Sequence, residues 1–398
     1  MSITRIAAWL GLLFGCASLA AQGLVPEEFL AGIQDDEPTL PRGFTREERD
    51  RWRLPELDRA MRAPPPVLVR AMAEYESNRG LLIRWGSQNS VLTEMTVAVT
   101  TLDSSASMYI VVSGPSLESS ARSTLQGAGA DLSRVHFLTA PSDSVWIRDY
   151  GPRYVDQEGE LAIVDHTYNR PRPNDNQVPD RIAQLWGQPQ YDLPLVHGGG
   201  NFHLFANREA LMTNLILDEN PGVTAQQVRD YYAAYQGLDV TLVGAFPTSV
   251  DSTQHIDMWM LPVSDETIII GEYDAAVGGG VPRQVTEATA TLLEGRGYTV
   301  LRTPGWRTTG FGGAHYTYTN AVIVNDLVMI CRFNGYEAQN AQARAVFEAA
   351  FPDRQIYAVD CSGIISLAGA IHCIVMHVPE PIMSLPEEVF RDGFEGGH

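Results

Sequence analysis

Four cysteines occur in this chain of 398 residues, and one of them, Cys373, lies in the apolar run AIHCIVMHV at 370–378, beside His372 and four residues before His377. A thiol in such a run can be a core residue, a metal ligand or a nucleophile, and its partners elsewhere decide which. Two other stretches carry candidate partners. In VWIRDYGPRYV (145–155), Trp146 and the apolar neighbours of Asp149 suggest a carboxylate that is at least partly buried and so needs a cation. The plainer alternative there is a turn with a surface Arg148–Asp149 ion pair. In TQHIDMWML (253–261), an extended backbone turns His255 and Asp257 to one face, because side chains on a strand alternate with period two. A satisfied core histidine beside a solvated aspartate is the alternative. Neighbours on a strand face opposite ways, so His372 is a poor partner for Cys373, and His255 is the candidate to serve the thiol.

Two arginines stand apart in YNRPRPNDN (168–176). Pro171 and Pro173 bias Arg170 and Arg172 away from helix and onto a stiff, extended piece, where two guanidinium forks suit a carboxylate or phosphate. An ordinary cationic loop is the commoner fate of such a run. HGGGNFH (197–203) adds a glycine-rich turn with Asn201, but it has neither GxGxxG spacing nor a Lys-Ser/Thr pair, which excludes a phosphate loop. His197 with His203, and Cys373 with His377, are conceivable zinc ligands, yet neither pair has a familiar spacing on a helix, and no metal is expected.

These residues require a scaffold. Hydrophobic content of 44% over 398 residues supports a large core. The formal charge of −20 argues against nucleic acid as a partner and favours cationic small molecules or peptides. MYIVVSG, LAIVDH, DMWMLPV, TIIIGEY, YTVLRTP and IHCIVMHV read as buried strands. TAQQVRDYYAAYQG and RQVTEATATLLEGRG read as amphipathic helices closed by glycine, which makes an α/β pattern in one compact domain. AVIVNDLVMIC and QIYAVDC read as parallel strands joined by the helix NAQARAVFEAAFP, an arrangement that brings Cys331 and Cys361 close enough for a disulfide and leaves Cys373 as the odd thiol.

The chain opens with Arg5 and an apolar run to about Ala21, with Ser18 and Ala20 at the −3 and −1 positions of a cleavage site. Residues 1–21 are therefore expected to be a signal peptide, too short and too early for a membrane span, and the protein secreted or periplasmic. Lipidation at Cys16 is the lesser reading, since Phe14 is bulky where a small residue is usual. Residues 22–64, rich in Pro, Glu and Arg and without periodicity, look like a pro-segment or extended arm. The polar segment 381–398 is expected to be a loosely held tail.

Taken in order, WIRDYGPR, HGGGNF, QHID, TYTNAVIV and AIHC resemble the bacterial peptidylarginine deiminases, relatives of the agmatine deiminases in the guanidino-modifying (pentein) superfamily. AEYESNRGLLIRW (73–85) is similar to the family's opening segment, and IVDHTYNRPRPND is the most specific piece, so the resemblance spans about 65–380, the expected catalytic domain. It implies a five-bladed α/β propeller of ββαβ units around a central active site. It also implies Cys373 as nucleophile, His255 as general acid and base, and Asp149 and Asp257 as the carboxylates that grip a guanidinium. Trp146 would wall the arginine stem, and Asn320 matches a position lining the site. No cofactor is required.

The resemblance implies hydrolysis of arginine in peptides or proteins to citrulline and ammonia, with Arg170 and Arg172 favouring a C-terminal arginine. Agmatine or free arginine are the alternative substrates. A Cys-His-Asp thiol peptidase and a non-catalytic arginine-peptide binding protein are the alternatives of other classes. The family's usual acidic-glycine pair after GGNF is replaced here by His203-Leu204-Phe205-Ala206, and Ser252 stands where the peptide-directed enzymes have a tyrosine.

Overall fold

The computed structural model describes residues 23–59, 62–309 and 313–381, so the expected signal peptide and the tail from 382 onward lie outside the described residues. Among the described residues the strands form five sheets of three or four strands each. Every sheet contains the same unit: a short strand, an antiparallel second strand, then a helix leading to a third strand parallel to the second. A parallel pair cannot be joined by a tight turn, which is why a helix intervenes each time. In one sheet the unit runs Met260–Pro262, Thr267–Glu272, helix Val281–Gly295, then Thr299–Arg307. In another the first strand, Met376–Pro379, comes from the far end of the chain and pairs with Asn78–Arg84 near its start. The result is a mixed α/β fold with strands from near the two ends of the described chain stitched into one sheet.

The apolar second strands explain the core. Ile268, Ile269 and Ile270 are all fully buried. Ile269 joins the largest hydrophobic cluster, while Ile268 and Ile270 pack with Phe246 and Trp259 on the opposite face. Such sheets are covered on both sides, so their strands read as continuous apolar runs rather than alternating ones. The helix Ala225–Gln236 starts on a Thr224–Gln227 capping box and stops at Gly237, whose φ of 68° suits a residue without a Cβ.

Three strand expectations are corrected. IHCIVMHV is not one strand: His372–Ile374 form a single 3-10 turn before Met376–Pro379. The Asn320 carboxamide oxygen takes the backbone N–H groups of Ala370 and His372, both at 3.1 Å, donors that a strand would give to a neighbour. QHIDM is not extended either: Ile256–Met258 form another 3-10 turn, held by the Asp257 N–H on the Gly200 carbonyl at 3.2 Å. AVIVNDLVMIC folds back on itself at Asn325 into Val322–Val324 and Leu327–Arg332. The expected disulfide joins Cys331 and Cys361 at the ends of parallel strands, and Cys373 is free.

The segment before the domain is ordered along the surface of the fold. Val25 and Leu30, on or beside the helix Glu27–Gly32, pack on Val97. Asp35 and Asp36 take hydrogen bonds from Asn89, and Glu37 pairs with Arg84. A second helix, Arg46–Arg51, opens on a Thr45–Glu48 capping box. Between these anchors the chain dips inward at Arg42.

Candidate active site

Each of the five sheets sends residues into one central site from the segment just before its short first strand. Trp146 and Asp149 precede Arg153–Gln157, and Gly198–Asn201 precede His203–Leu204. His255 and Asp257 precede Met260–Pro262, Asn320 precedes Val322–Val324, and Cys373 precedes Met376–Pro379. The first strands are short because their N-terminal neighbours leave the ladder to reach the centre.

Asp149, His255, Asp257, Asn320 and Cys373 are buried together. The cation that two buried carboxylates need is Arg42, a residue the sequence analysis did not single out. Its Nε donates to Asp149 Oδ2 at 2.9 Å and its Nη2 to Asp149 Oδ1 at 2.8 Å. Nη1 and Nη2 reach Asp257 at 3.0–3.2 Å, and Nη2 lies 2.7 Å from His255 Nδ1. Burial opposes ionisation of both aspartates, but Arg42, with His255 on Asp149 and His372 on Asp257, holds each well below the usual carboxylate range. The Arg148–Asp149 ion pair does not form; Arg148 pairs with Glu74 at 2.6 Å instead.

The thiol has its own surroundings. Asn320 Nδ2 donates to Cys373 Sγ at 3.0 Å, and Asp257 Oδ2 lies 3.5 Å from the sulfur. Burial pushes the Cys373 thiol well above its ordinary range, Asp257 and Asp149 add to the shift, and Arg42 opposes it. His255 and Cys373 do not share a hydrogen bond; the histidine meets Arg42 and Asp149, with Nδ1 3.4 Å from Asp149 Oδ1. His255 Nε2 is buried with no protein partner.

His372 and Glu74 are further members that the sequence analysis passed over. Because His372 sits on a 3-10 turn rather than a strand, its ring bridges inward, with Nδ1 3.0 Å from Asp257 Oδ2 and Nε2 3.0 Å from Glu74 Oε2. The glycines of HGGGNF are explained by close approach. A Cβ on Gly200 would collide with Arg42 Nη2 and stand 2.8 Å from both aspartates. Trp146 borders the same space: Gly369 is wedged so that a Cβ there would lie 2.6 Å from the indole, 3.0 Å from Arg42 Cδ and 3.1 Å from Cys373 Sγ.

Arg170 and Arg172 are buried and meet the main chain around Arg42, not its guanidinium. They lie in the bend between the strand Glu160–Tyr168 and the single helical turn Pro173–Asn176. Arg170 Nε donates to the Arg42 carbonyl at 3.3 Å. Arg172 donates to the carbonyls of Pro41 and Gly43 at 2.8 and 3.0 Å and pairs with Glu48 at 2.8 Å.

Among the described residues, the one cluster of potential metal ligands is Glu74, His203 and His372. Its carboxylate is already engaged by Arg148 and His372, which leaves a cation no free anionic ligand there. His377 is likewise occupied, with Nδ1 2.9 Å from Arg148 and Nε2 on the Ile323 carbonyl at 2.7 Å.

Comparison with known proteins agrees with this geometry. A Streptomyces avermitilis protein provisionally named an agmatine deiminase is 28% identical over 295 residues, covering 68% of this chain and 83% of its own. A second, from Streptomyces coelicolor and named the same way, is 26% identical over 298 residues, covering 68% of this chain and 84% of its own. A substrate-bound C. jejuni agmatine deiminase structure superposes with a TM-score of 0.69 at 16% identity, covering 79% of this chain and 97% of that one. The structure of a provisionally named arginine deiminase from Porphyromonas gingivalis does so with a TM-score of 0.69 at 19% identity, covering 79% and 99%. The fold is thus that of the pentein-type deiminases. The protein is an enzyme of the deiminase class, a hydrolase acting on guanidino groups. A family model described as Porphyromonas-type peptidyl-arginine deiminase matches residues 70–379, and the chain belongs to that family.

Proposed function

We propose that this enzyme hydrolyses the guanidinium of arginine carried in peptides or proteins, C-terminal arginine in preference, giving citrulline and ammonia. The observation that carries the reading is Arg42. An arginine within a peptide chain already fills the site, with its head group on Asp149 and Asp257 and its main-chain carbonyl on Arg170. Agmatine has no carbonyl at that position. When residues 41–43 and Glu48 are not there to accept from them, Arg170 and Arg172 are two largely buried forks in search of an anion, and a terminal carboxylate supplies one. The five converging sheets are read as blades of a closed propeller around this centre.

The chemistry follows from the same contacts. A bound guanidinium offsets the negative field of the two aspartates and favours transfer of the Cys373 proton to His255. The thiolate attacks the central carbon and forms a tetrahedral adduct. Ammonia departs with a proton delivered by His255, leaving an S-alkylthiouronium. Water, giving its proton back to His255, adds to that carbon; the C–S bond breaks and citrulline is released as the thiol re-forms. Asn320 Nδ2 supports sulfur when it carries negative charge. Paired buried carboxylates beside the thiol have no use in peptide-bond cleavage, which weighs against a thiol peptidase. Export belongs to the same proposal, supported by the apolar run over 1–21 and by a disulfide of the kind that persists in oxidising compartments.

Agmatine is the second reading, favoured by the names of the curated relatives. Ammonia release from Arg-terminated peptides, their amidated forms and agmatine, with citrulline as the co-product of the peptides and N-carbamoylputrescine that of agmatine, distinguishes the two, assayed on the full chain and on an Arg42→Ala variant. Arg170→Ala should raise KM for arginine peptides at least tenfold and leave agmatine unaffected. Turnover of agmatine alone would replace the peptide reading.

A further inference from the structure

We infer that the site is a cleft for an arginine-containing peptide and that its resident ligand is this chain's own segment Leu40–Phe44. External substrate then enters only once Arg42 has left. The inference rests on the guanidino-hydrolase reading and extends it to how the site is governed.

All 28 basic residues of the chain are arginine, so side-chain type alone does not select Arg42. Its main chain is read as a peptide would be. Trp146 Nε1 donates to the Leu40 carbonyl at 2.8 Å, and the Arg42 N–H donates to the Leu367 carbonyl at 3.1 Å. Arg172 spans the carbonyls of Pro41 and Gly43, and Arg170 holds that of Arg42 while its guanidinium lies 4.3 Å over the Phe44 ring. Gly43 passes Ser252 so closely that a Cβ there would come within 3.3 Å of its hydroxyl, a passage that a larger side chain at 252 would narrow. These contacts cover the two residues on either side of Arg42, and none depends on their side-chain chemistry except the Phe44 stack. The cleft therefore recognises the peptide backbone around an arginine.

Occupancy is complete. Arg42 and Cys373 are both 0% exposed, and both aspartates are already paired. An outside guanidinium has no carboxylate left to bind and no path to the sulfur. The occupant is also anchored on both sides. Val25 and Leu30 pack on Val97 upstream, and the Glu48–Arg172 pair and the Arg59 hydrogen bond to the Pro194 carbonyl at 3.0 Å follow downstream. A ligand tethered this way competes at an effective concentration on the order of millimolar, well above most dissolved substrates. Between the helix Arg46–Arg51 and Arg59 the chain has no regular structure, and Arg53, Leu54, Glu56 and Asp58 are exposed. A cut there would turn the tethered ligand into a dissociable one.

The experiment measures Cys373 by iodoacetamide labelling and citrulline formation by colorimetry, in parallel, on the full chain, on Arg42→Ala, and on a chain carrying a specific protease site at 54–57 before and after cutting. Labelling and turnover should both rise about tenfold or more in Arg42→Ala and after the cut, since an intramolecular competitor has been removed. A synthetic peptide of residues 36–50 should suppress labelling again, and the same peptide with alanine for Arg42 should not. The cut chain keeps Arg42 and every residue of the site, so the test stands even if Arg42→Ala folds poorly. A full chain labelled and turned over as fast as the cut one overturns the inference. Thiol exposure that rises on cutting, with no guanidine hydrolysed, leaves the inference standing and removes the hydrolase reading instead.

Discussion

Arg42→Ala should destabilise the protein in a way that depends on pH with a particular sign. In the wild type, Asp149 and Asp257 have folded pKa values below their unfolded value of about 3.9, so the stability they contribute is present above that pH and lost as pH falls. Both carboxylates lie within 3.0 Å of one nitrogen, Arg42 Nη2. Removing that nitrogen leaves two buried like charges about 5 Å apart, which at an effective dielectric of about 20 repel by about 3 kcal/mol. That repulsion alone lifts one carboxylate by about two pKa units, and burial adds to it. The lifted group now has a folded pKa above its unfolded one. Its contribution is present below about pH 4 and disappears as pH rises through roughly 6 to 7. The deficit of the variant should therefore be about 3–5 kcal/mol at pH 8 and much smaller at pH 5. With roughly 2–4 °C per kcal/mol, thermal denaturation should show a gap of about 6–20 °C at pH 8 that more than halves at pH 5. An Arg42→Ala/Asp149→Asn double variant should lose most of that pH dependence. An equal gap at the two pH values would refute the reasoning, because it would mean that Arg42 contributes packing rather than charge.

Three other outcomes are expected. Cys373→Ser should abolish citrulline formation while circular dichroism and melting remain close to wild type; residual turnover within about tenfold would remove the thiol from the chemistry. Glu74→Gln strips Arg148 of its carboxylate and should cost about 3 kcal/mol near neutral pH. Because Arg148 and His372 hold Glu74 low against burial, the gap should close as pH falls below about 4, and a melting series in acid checks it. Cys361→Ser opens a loop of sequence separation 30 and should cost about 3–4 kcal/mol, a difference that denaturant titration of the reduced wild type should erase.

Chemistry was more visible in the sequence than geometry. Cys373, His255, Asp149 and Asp257 could be named because an odd thiol and carboxylates near apolar residues are local properties of residue type and order, and Trp146 and Asn320 because their motifs resemble those of a known family. The α/β pattern was visible for the same reason: crossover helices and doubly covered strands leave long apolar signatures, such as TIIIGEY and TAQQVRDYYAAYQG. Local rules failed where a long-range hydrogen bond outweighed them. Strand alternation was the ground for setting His372 aside as a partner of the thiol. Its ring makes no hydrogen bond to Cys373, but the strand does not form, because the Asn320 side chain, 52 residues away, captures the backbone N–H of His372, whose ring meets Asp257 and Glu74. Arg42 was beyond any local reading. It is one of several arginines in a segment without periodicity, and neither Pro41 nor Gly43 marks it. What selects it is the field of two carboxylates 107 and 215 residues further along the chain. Residue types determined what reaction this protein could perform; only the tertiary structure, by burying two like charges that need a cation, decided that the chain would supply that cation from its own arm.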